Sequence, residues 1–138
     1  MIKDITDTQF GRRANHAPAK MAIDQFVYEN GAAGAALTVN KTVTIEGSIR
    51  AITVGVNDNT NNVTATINIK DDNGAVLYTK AAFAEATESA PTYVNIMNDA
   101  GQDLAMDILC AGPITVQCVL SGDPGATGGT VDVKLYLM

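Results

Sequence analysis

From residue 63 to residue 70 the chain alternates without a fault. Val63, Ala65, Ile67 and Ile69 fall on one side, and Thr64, Thr66, Asn68 and Lys70 on the other. A two-residue period puts apolar groups on one face of an extended chain, so it excludes a helix there and calls for a sheet with one dry face. The period recurs in Ile114, Val116, Cys118 and Leu120, and again in Val131, Val133, Leu135 and Leu137 against Asp132, Lys134 and Tyr136. Val43 and Ile45 alternate with Thr42, Thr44 and Glu46; past Gly47 and Ser48 the apolar phase moves to Ile52, Val54 and Val56. A phase slip beside a glycine predicts a β-bulge or a bend.

Turn chemistry separates these runs. Residues 57–62, NDNTNN, form a polar turn, and Asn73-Gly74 between two strand-like runs is the strongest short hairpin signal in the chain. Residues 21–28 are too short a run to separate a strand from a pair of helical turns. The alanine-rich stretch 81–90 reads as a helical turn or a loop before Pro91, and ENGAAGAA before it in the chain as a small-residue loop. Residues 101–112, with Leu104 and Ile108 four apart and Gly112-Pro113 at the end, predict a short helix. Seven or eight short strands at this spacing predict an all-β fold. Its architecture is an antiparallel β-sandwich, jelly-roll or Ig-like, with one or two short helical turns.

With 138 residues, 46% of them hydrophobic and 17% charged, the chain has the size and composition of one globular domain. No apolar run approaches the roughly 20 residues that span a bilayer, and the amino end shows no apolar signal region. Synthesis in the cytoplasm without export is therefore expected. Charge divides the chain in two. Residues 1–20 carry Lys3, Arg12, Arg13 and Lys20 against Asp4 and Asp7, a balance of +2, whereas residues 21–138 carry five basic and thirteen acidic residues, a balance of −8. Residues 1–20 also lack periodicity and are broken by Gly11 and Pro18, so they read as an extended basic arm on a sandwich body of residues 21–138.

The residue types that carry chemistry do not converge. In LSGDPGATGG five residues separate Gly122 from Gly128, position 129 is glycine rather than lysine, and a strand pattern follows instead of a helix. That excludes a Walker-type phosphate loop and predicts a wide hairpin loop reversing a strand. The loops at 57–62 and 71–73 lack the ligand spacing of a calcium loop and read as solvated turns. His16, the one histidine, lies in the arm, far in sequence from Cys118 and Ser121, so no nucleophile has a base beside it. Asp71 and Asp72 are paired carboxylates in a turn rather than in a cleft. Cys110 and Cys118 have no metal-ligand spacing; Cys118 falls on a buried face and reads as a reduced structural thiol, with a disulfide as the alternative. The chain is expected to be no enzyme and to hold no cofactor or metal. An acidic body with no basic stripe is not expected to bind nucleic acid.

The ending AGPITVQCVLSGDPGATGGTVDVKLYL, together with the DDNG hairpin, resembles small β-sandwich proteins of tailed bacteriophages, in particular capsid decoration (cement) proteins. The likeness runs from Gly47 to Met138, about two-thirds of the chain. It implies a structural virion protein that binds the major capsid protein on the outside of the shell and bridges neighbouring subunits. Self-association on that surface is also implied, and neither membrane nor small-molecule substrate is. It brings no catalytic residues. It gives the arm a role: Phe10, Arg12, Arg13 and Lys20 would meet a neighbouring subunit, across a reach of roughly 60–70 Å for twenty extended residues. The other class of reading is a tail or fibre module that recognises a host glycan near an exposed tyrosine or the Asn/Asp loops. A bacterial sandwich with no viral role is a third.

Overall fold

The computed structural model describes residues 19–88, 92–93, 96–97, 103–104 and 108–137. Among the described residues eleven strands follow one another: β1 (Ala19–Ala22), β2 (Phe26–Tyr28), β3 (Thr38–Val56), β4 (Ala65–Lys70), β5 (Val76–Phe83), β6 (Thr87–Glu88), β7 (Thr92–Tyr93), β8 (Ile96–Met97), β9 (Asp103–Leu104), β10 (Ile108–Leu120) and β11 (Gly129–Leu137). All described pairings are antiparallel, so the fold is all-β as its alternation requires. Nine strands join in one sheet in the order β1-β11-β3-β10-β4-β5. β2 lies on β11, and β6 and β7 lie on β3; β8 and β9 pair separately.

The 19-residue β3 belongs to both halves of this sheet. Its first half pairs with β10, Thr38 opposite Val119 through Ile49 opposite Ile108. Its second half pairs with β11, through Val56 opposite Val131. A straight strand of that length would run roughly 60 Å. The link from Val119 to Val131 is twelve residues, about 40 Å at full stretch. Both pairings hold only if β3 folds over on itself, which turns one sheet into two facing layers. The first layer is β2 and β1 on β11, then the second half of β3 with β6 and β7. The second is the first half of β3, then β10, β4 and β5.

The bend is where the apolar phase slips. Gly47 has φ 135°, and the β3–β11 register breaks between Tyr136 and Leu137, which face Ala51 and Ile49 and leave Arg50 as the extra residue. Ile45 and Ile49 are buried before it; Ile52, Val54 and Val56 after it. The alternating residues of β4, β10 and β11 fill the space between the layers with Phe26, Tyr28, Tyr78 and Phe83. Tyr28 shows the closure directly: its hydroxyl donates to the carbonyl of Cys118, 2.6 Å away. Along the sheet, β2 and β10 are three strands apart, about 14 Å at the usual spacing. Only face-to-face layers bring them within a tyrosine's length.

Local expectations are met in some places and corrected in others. The 71–75 turn joins β4 to β5 as an antiparallel hairpin: Asp71 Oδ1 accepts from Asn73 N–H (2.9 Å) and Ala75 N–H (2.8 Å), with Gly74 at φ 87°. Within residues 21–28, Met21 and Ala22 end β1 and Phe26–Tyr28 form β2, with a break at residues 23–25. Where a helix was expected over 101–112, the described residues are strand: Asp103 and Leu104 pair as β9, and β10 starts at Ile108. Two apolar residues four apart were weaker than the alternation that runs on to Leu120. Gly112 and Pro113 lie inside β10, with Gly112 at φ 113°. Pro113 faces Thr44 and lies beyond the last β4 partner at Thr115, where no described strand pairs with the other side of β10. The described helical turn is instead a 3-10 turn, Gly34–Leu37, in the small-residue loop. The glycine loop does reverse the chain, but between layers: β10 and β11 flank β3 and do not pair with each other. Gly125 and Gly128 take φ 87° and 70° in it, and a side chain at Gly125 would lie 2.8 Å from Thr60 Cβ.

Cys110 and Cys118 are both free and buried. Eight residues apart on one strand, they are separated by roughly 26 Å, too far to bond to each other. Burial pushes the Cys118 thiol up to about 11 and Tyr78 up to about 12, and raises Tyr28 and Cys110 as well. Each neutral form is the one the fold prefers. Their stabilising contribution is complete below the unfolded values, 9.0 for cysteine and 10.0 for tyrosine, and is lost as pH climbs through the folded ones. Alkaline titration is therefore expected to ionise Tyr28 and Tyr78 only as the β-sheet circular dichroism collapses, above about pH 10. Tyrosinate absorbance from all four tyrosines near pH 10, with the sheet signal intact, would contradict this.

Candidate interaction face and loop cluster

Lys20 is the one residue of the expected partner contact that the structure describes; Phe10, Arg12 and Arg13 lie outside the described residues, as does His16. It stands in β1, the outermost strand of the first layer, opposite Tyr136. Because Met21 and Leu135 turn toward the core, Lys20, Ala22, Lys134 and Tyr136 turn outward. The ammonium of Lys20 sits 5.9 Å from the Tyr136 ring centroid, a cation–π distance. The outer face continues in rows across the strands. Tyr136 faces Ala51, Lys134 faces Thr53, and Asp132 faces Gly55, which faces Glu88. Val27, between buried Phe26 and Tyr28, is 59% exposed at the end of this face.

Two polar contacts organise the face. Gln25 donates to Asp132 Oδ1 (3.1 Å), and Lys134 pairs with Glu88 Oε2 (3.4 Å). The ion pair is open to solvent and contributes about 0–1 kcal/mol, so it orients side chains more than it holds the fold. Between them lies a shallow groove of about 670 Å³ whose charged lining is Asp58, Glu88, Asp132 and Lys134. Thr53, in the same row as Lys134, is buried at 5% exposure and its hydroxyl has no hydrogen-bond partner among the described residues.

The Asn-rich loop has a different role from the solvated turn expected of it. Asn59 is 2% exposed. Its Nδ2 donates to the carbonyls of Asn57 (3.2 Å) and Val63 (3.3 Å), and its Oδ1 accepts from Val63 N–H (2.8 Å). Asn57 spans to the glycine loop, donating to Gly128 O (3.0 Å) and accepting from Thr130 N–H (3.0 Å). Asn61 donates to Asp123 O (2.9 Å), and Asp123 Oδ1 accepts from Gly31 N–H (2.9 Å) and Gly125 N–H (2.8 Å). These amides and carboxylates are spent on backbone, locking three loops together at one end of the layers. The Asp71–Asn73 turn is at the far end of β4, roughly 20 Å away, so the two loops do not meet around an ion. Among the described residues no three His, Cys, Asp or Glu side chains cluster as a metal site would require. No described helix is long and apolar enough to cross a membrane. Sequence reasoning missed the buried Asn59 because its partners are set by loop docking, not by local spacing.

No family model matches this chain, and no curated protein does. Among solved structures, the chain is similar at TM-score 0.43 and 16% identity to a crystal structure of a T13 viral particle of infectious bursal disease virus, covering 87% of this chain and 31% of that one. It is similar at TM-score 0.41 and 15% identity to T=1 particles derived from infectious bursal virus, and at 0.39 and 15% to the Gx strain of infectious bursal disease virus. Each covers 87% of this chain and 32% of that one. The chain thus spans about a third of the length of these neighbours. Likeness at this level carries neither fold nor function across.

Two substitutions test the polar accounting. Asn59→Ala leaves the Val63 N–H and carbonyl without their Asn59 partners, while the Asn57 carbonyl keeps Ala86 N–H, and is expected to cost about 2–4 kcal/mol in urea unfolding. Thr53→Val removes an unsatisfied hydroxyl at constant shape and is expected to leave stability unchanged or raise it by about 1 kcal/mol. A clear loss for Thr53→Val would mean that its hydroxyl has a partner.

Proposed function

We propose that this chain is a structural assembly protein of a virion, with a binding rather than a catalytic role. More particularly, we read it as a decoration protein on the outside of a bacteriophage capsid. There the body rests on the shell and residues 1–20 extend onto a neighbouring subunit. The observation that carries this reading is the place where the basic segment joins the body. β1 is the outermost strand of its layer, held on β11 by four residue pairs. A segment continuing from Ala19 therefore starts at a sheet edge with a balance of +1 over residues 1–18 (Lys3, Arg12 and Arg13 against Asp4 and Asp7), on a body with a balance of −7. Opposite charge on one chain suits two surfaces with two partners. The resemblance of residues 47–138 to decoration proteins supports the same reading, and its ending is the β10–loop–β11 unit on which the layers close.

In this reading Arg12, Arg13 and Lys20 pair with acidic groups of a neighbouring capsid subunit, bidentately where arginine meets carboxylate. The interaction weakens as salt rises, because exposed pairs are screened beyond about 8 Å at physiological ionic strength. The test is co-sedimentation with phage heads stripped of their decoration, comparing the full chain with one beginning at Ala19, which spares β1. Stoichiometric binding by the full chain, weakened at least about tenfold without residues 1–18 and by added salt, is expected. Equal binding by both forms would remove the arm from the contact. No binding by either would remove the capsid.

A further inference from the structure

An open sheet edge is a template for another strand, and each open edge here carries something that spoils it. β5 has two register breaks against β4, between Ala65 and Ile67 and between Ile69 and Lys70, with Ala82 at φ 64° in the first. The edge formed by β1 and β2 is interrupted at residues 23–25 and consists of runs of four and three residues. The first half of β3 is different. From Thr38 to Glu46 it pairs residue for residue with β10, and no described strand lies on its other side. It is long, regular and unbulged.

Its inward row reads Val39, Lys41, Val43, Ile45. Val39 and Val43 pack against the core and Ile45 belongs to it. Lys41, opposite the fully buried Val116, is the one charged residue in that row. Its ammonium reaches 6.0 Å from the ring centroid of Phe26, a fully buried residue of the opposite layer. The lysine stem thus lies across the mouth between the layers, with its charge at the rim.

We propose that Lys41 is a guard that keeps the open edge of β3 from pairing with the same edge of a second copy. An added strand would extend the layer over the mouth and take the ammonium out of water with no carboxylate to receive it. Two copies pairing antiparallel about a twofold axis would bring both lysines into one inward layer, where like charges oppose each other. The outward row, Thr38, Asn40, Thr42, Thr44 and Glu46, carries its one charge on the solvent side at the end beside the bend, so within the inward row Lys41 is the element that blocks addition.

The experiment is sedimentation velocity and amide exchange on the full-length protein, with wild type beside Lys41→Val, Lys41→Thr and Lys41→Arg. The valine and threonine variants are expected to sediment faster than wild type as concentration rises, while exchange in residues 38–46 slows at least about tenfold. Lys41→Arg keeps the charge and is expected to match wild type. Association without protection of residues 38–46, or association of Lys41→Arg as well, overturns the proposal. So does valine and threonine variants that fold, judged by an unchanged sheet signal, and sediment as wild type does. The threonine variant guards against a misfolded valine variant, and the proposal does not depend on what the protein binds.

Discussion

The doubling of β3 is the constraint from which the rest of the molecule follows. Once Val119 must lie beside Thr38 and Val131 beside Val56 with eleven residues between them, a single sheet has no flat solution. The glycine loop is short because the two ends of β3 are close, and they are close because Gly47 and Arg50 let the strand turn over. The core is then the space enclosed by one strand's two halves and their partners. No helix is needed to cover it.

Closure by folding over leaves polar groups to settle where the layers meet. Tyr28 settles its own by donating across the interior to a carbonyl on β10, and the Asn57, Asn59 and Asn61 amides settle the loop backbones at one end. These bonds are specific where apolar contacts are not. A core of valines and isoleucines tolerates sliding, whereas a buried amide with three backbone partners is satisfied in one register. Thr53 and Tyr78, whose buried hydroxyls lack partners among the described residues, are the exceptions.

What the sequence made legible was everything that repeats or turns locally. Alternation marks β4, β10 and β11; Asn73-Gly74 marks the β4–β5 hairpin; the phase slip marks the bend of β3 within a few residues. What it hid was pairing. The glycine loop reads as a reversal from its residue types, but nothing in those residues says that β10 and β11 pass on either side of β3. The short helix expected near Leu104 and Ile108 failed for a related reason: spacing over five residues is weak beside a strand with partners sixty residues away. The same limit applies to the candidate contact. Lys20 reads as part of a basic tail until its pairing with Tyr136 puts it in a sheet. Lys41 is visibly out of place in an apolar row, yet it becomes informative only when that row lies on an open edge.

The position of β11 has a consequence for how the molecule is made. This strand is synthesised after all its partners, yet it sits inside the sheet, between β1 and β2 on one side and β3 on the other. Its pairings join Ala19 to Leu137 and Val56 to Val131, so most of what closes the first layer is distant along the chain. Such order is slow to form, since long loops must close before any contact rewards them. A nascent chain holding residues up to 128 has the β4–β5 hairpin but a gap where the central strand belongs, with apolar faces bare on either side. Folding here waits for β11 to be made, and the interval before β11 arrives is when a chaperone, or a crowded neighbour, would meet this protein unfinished.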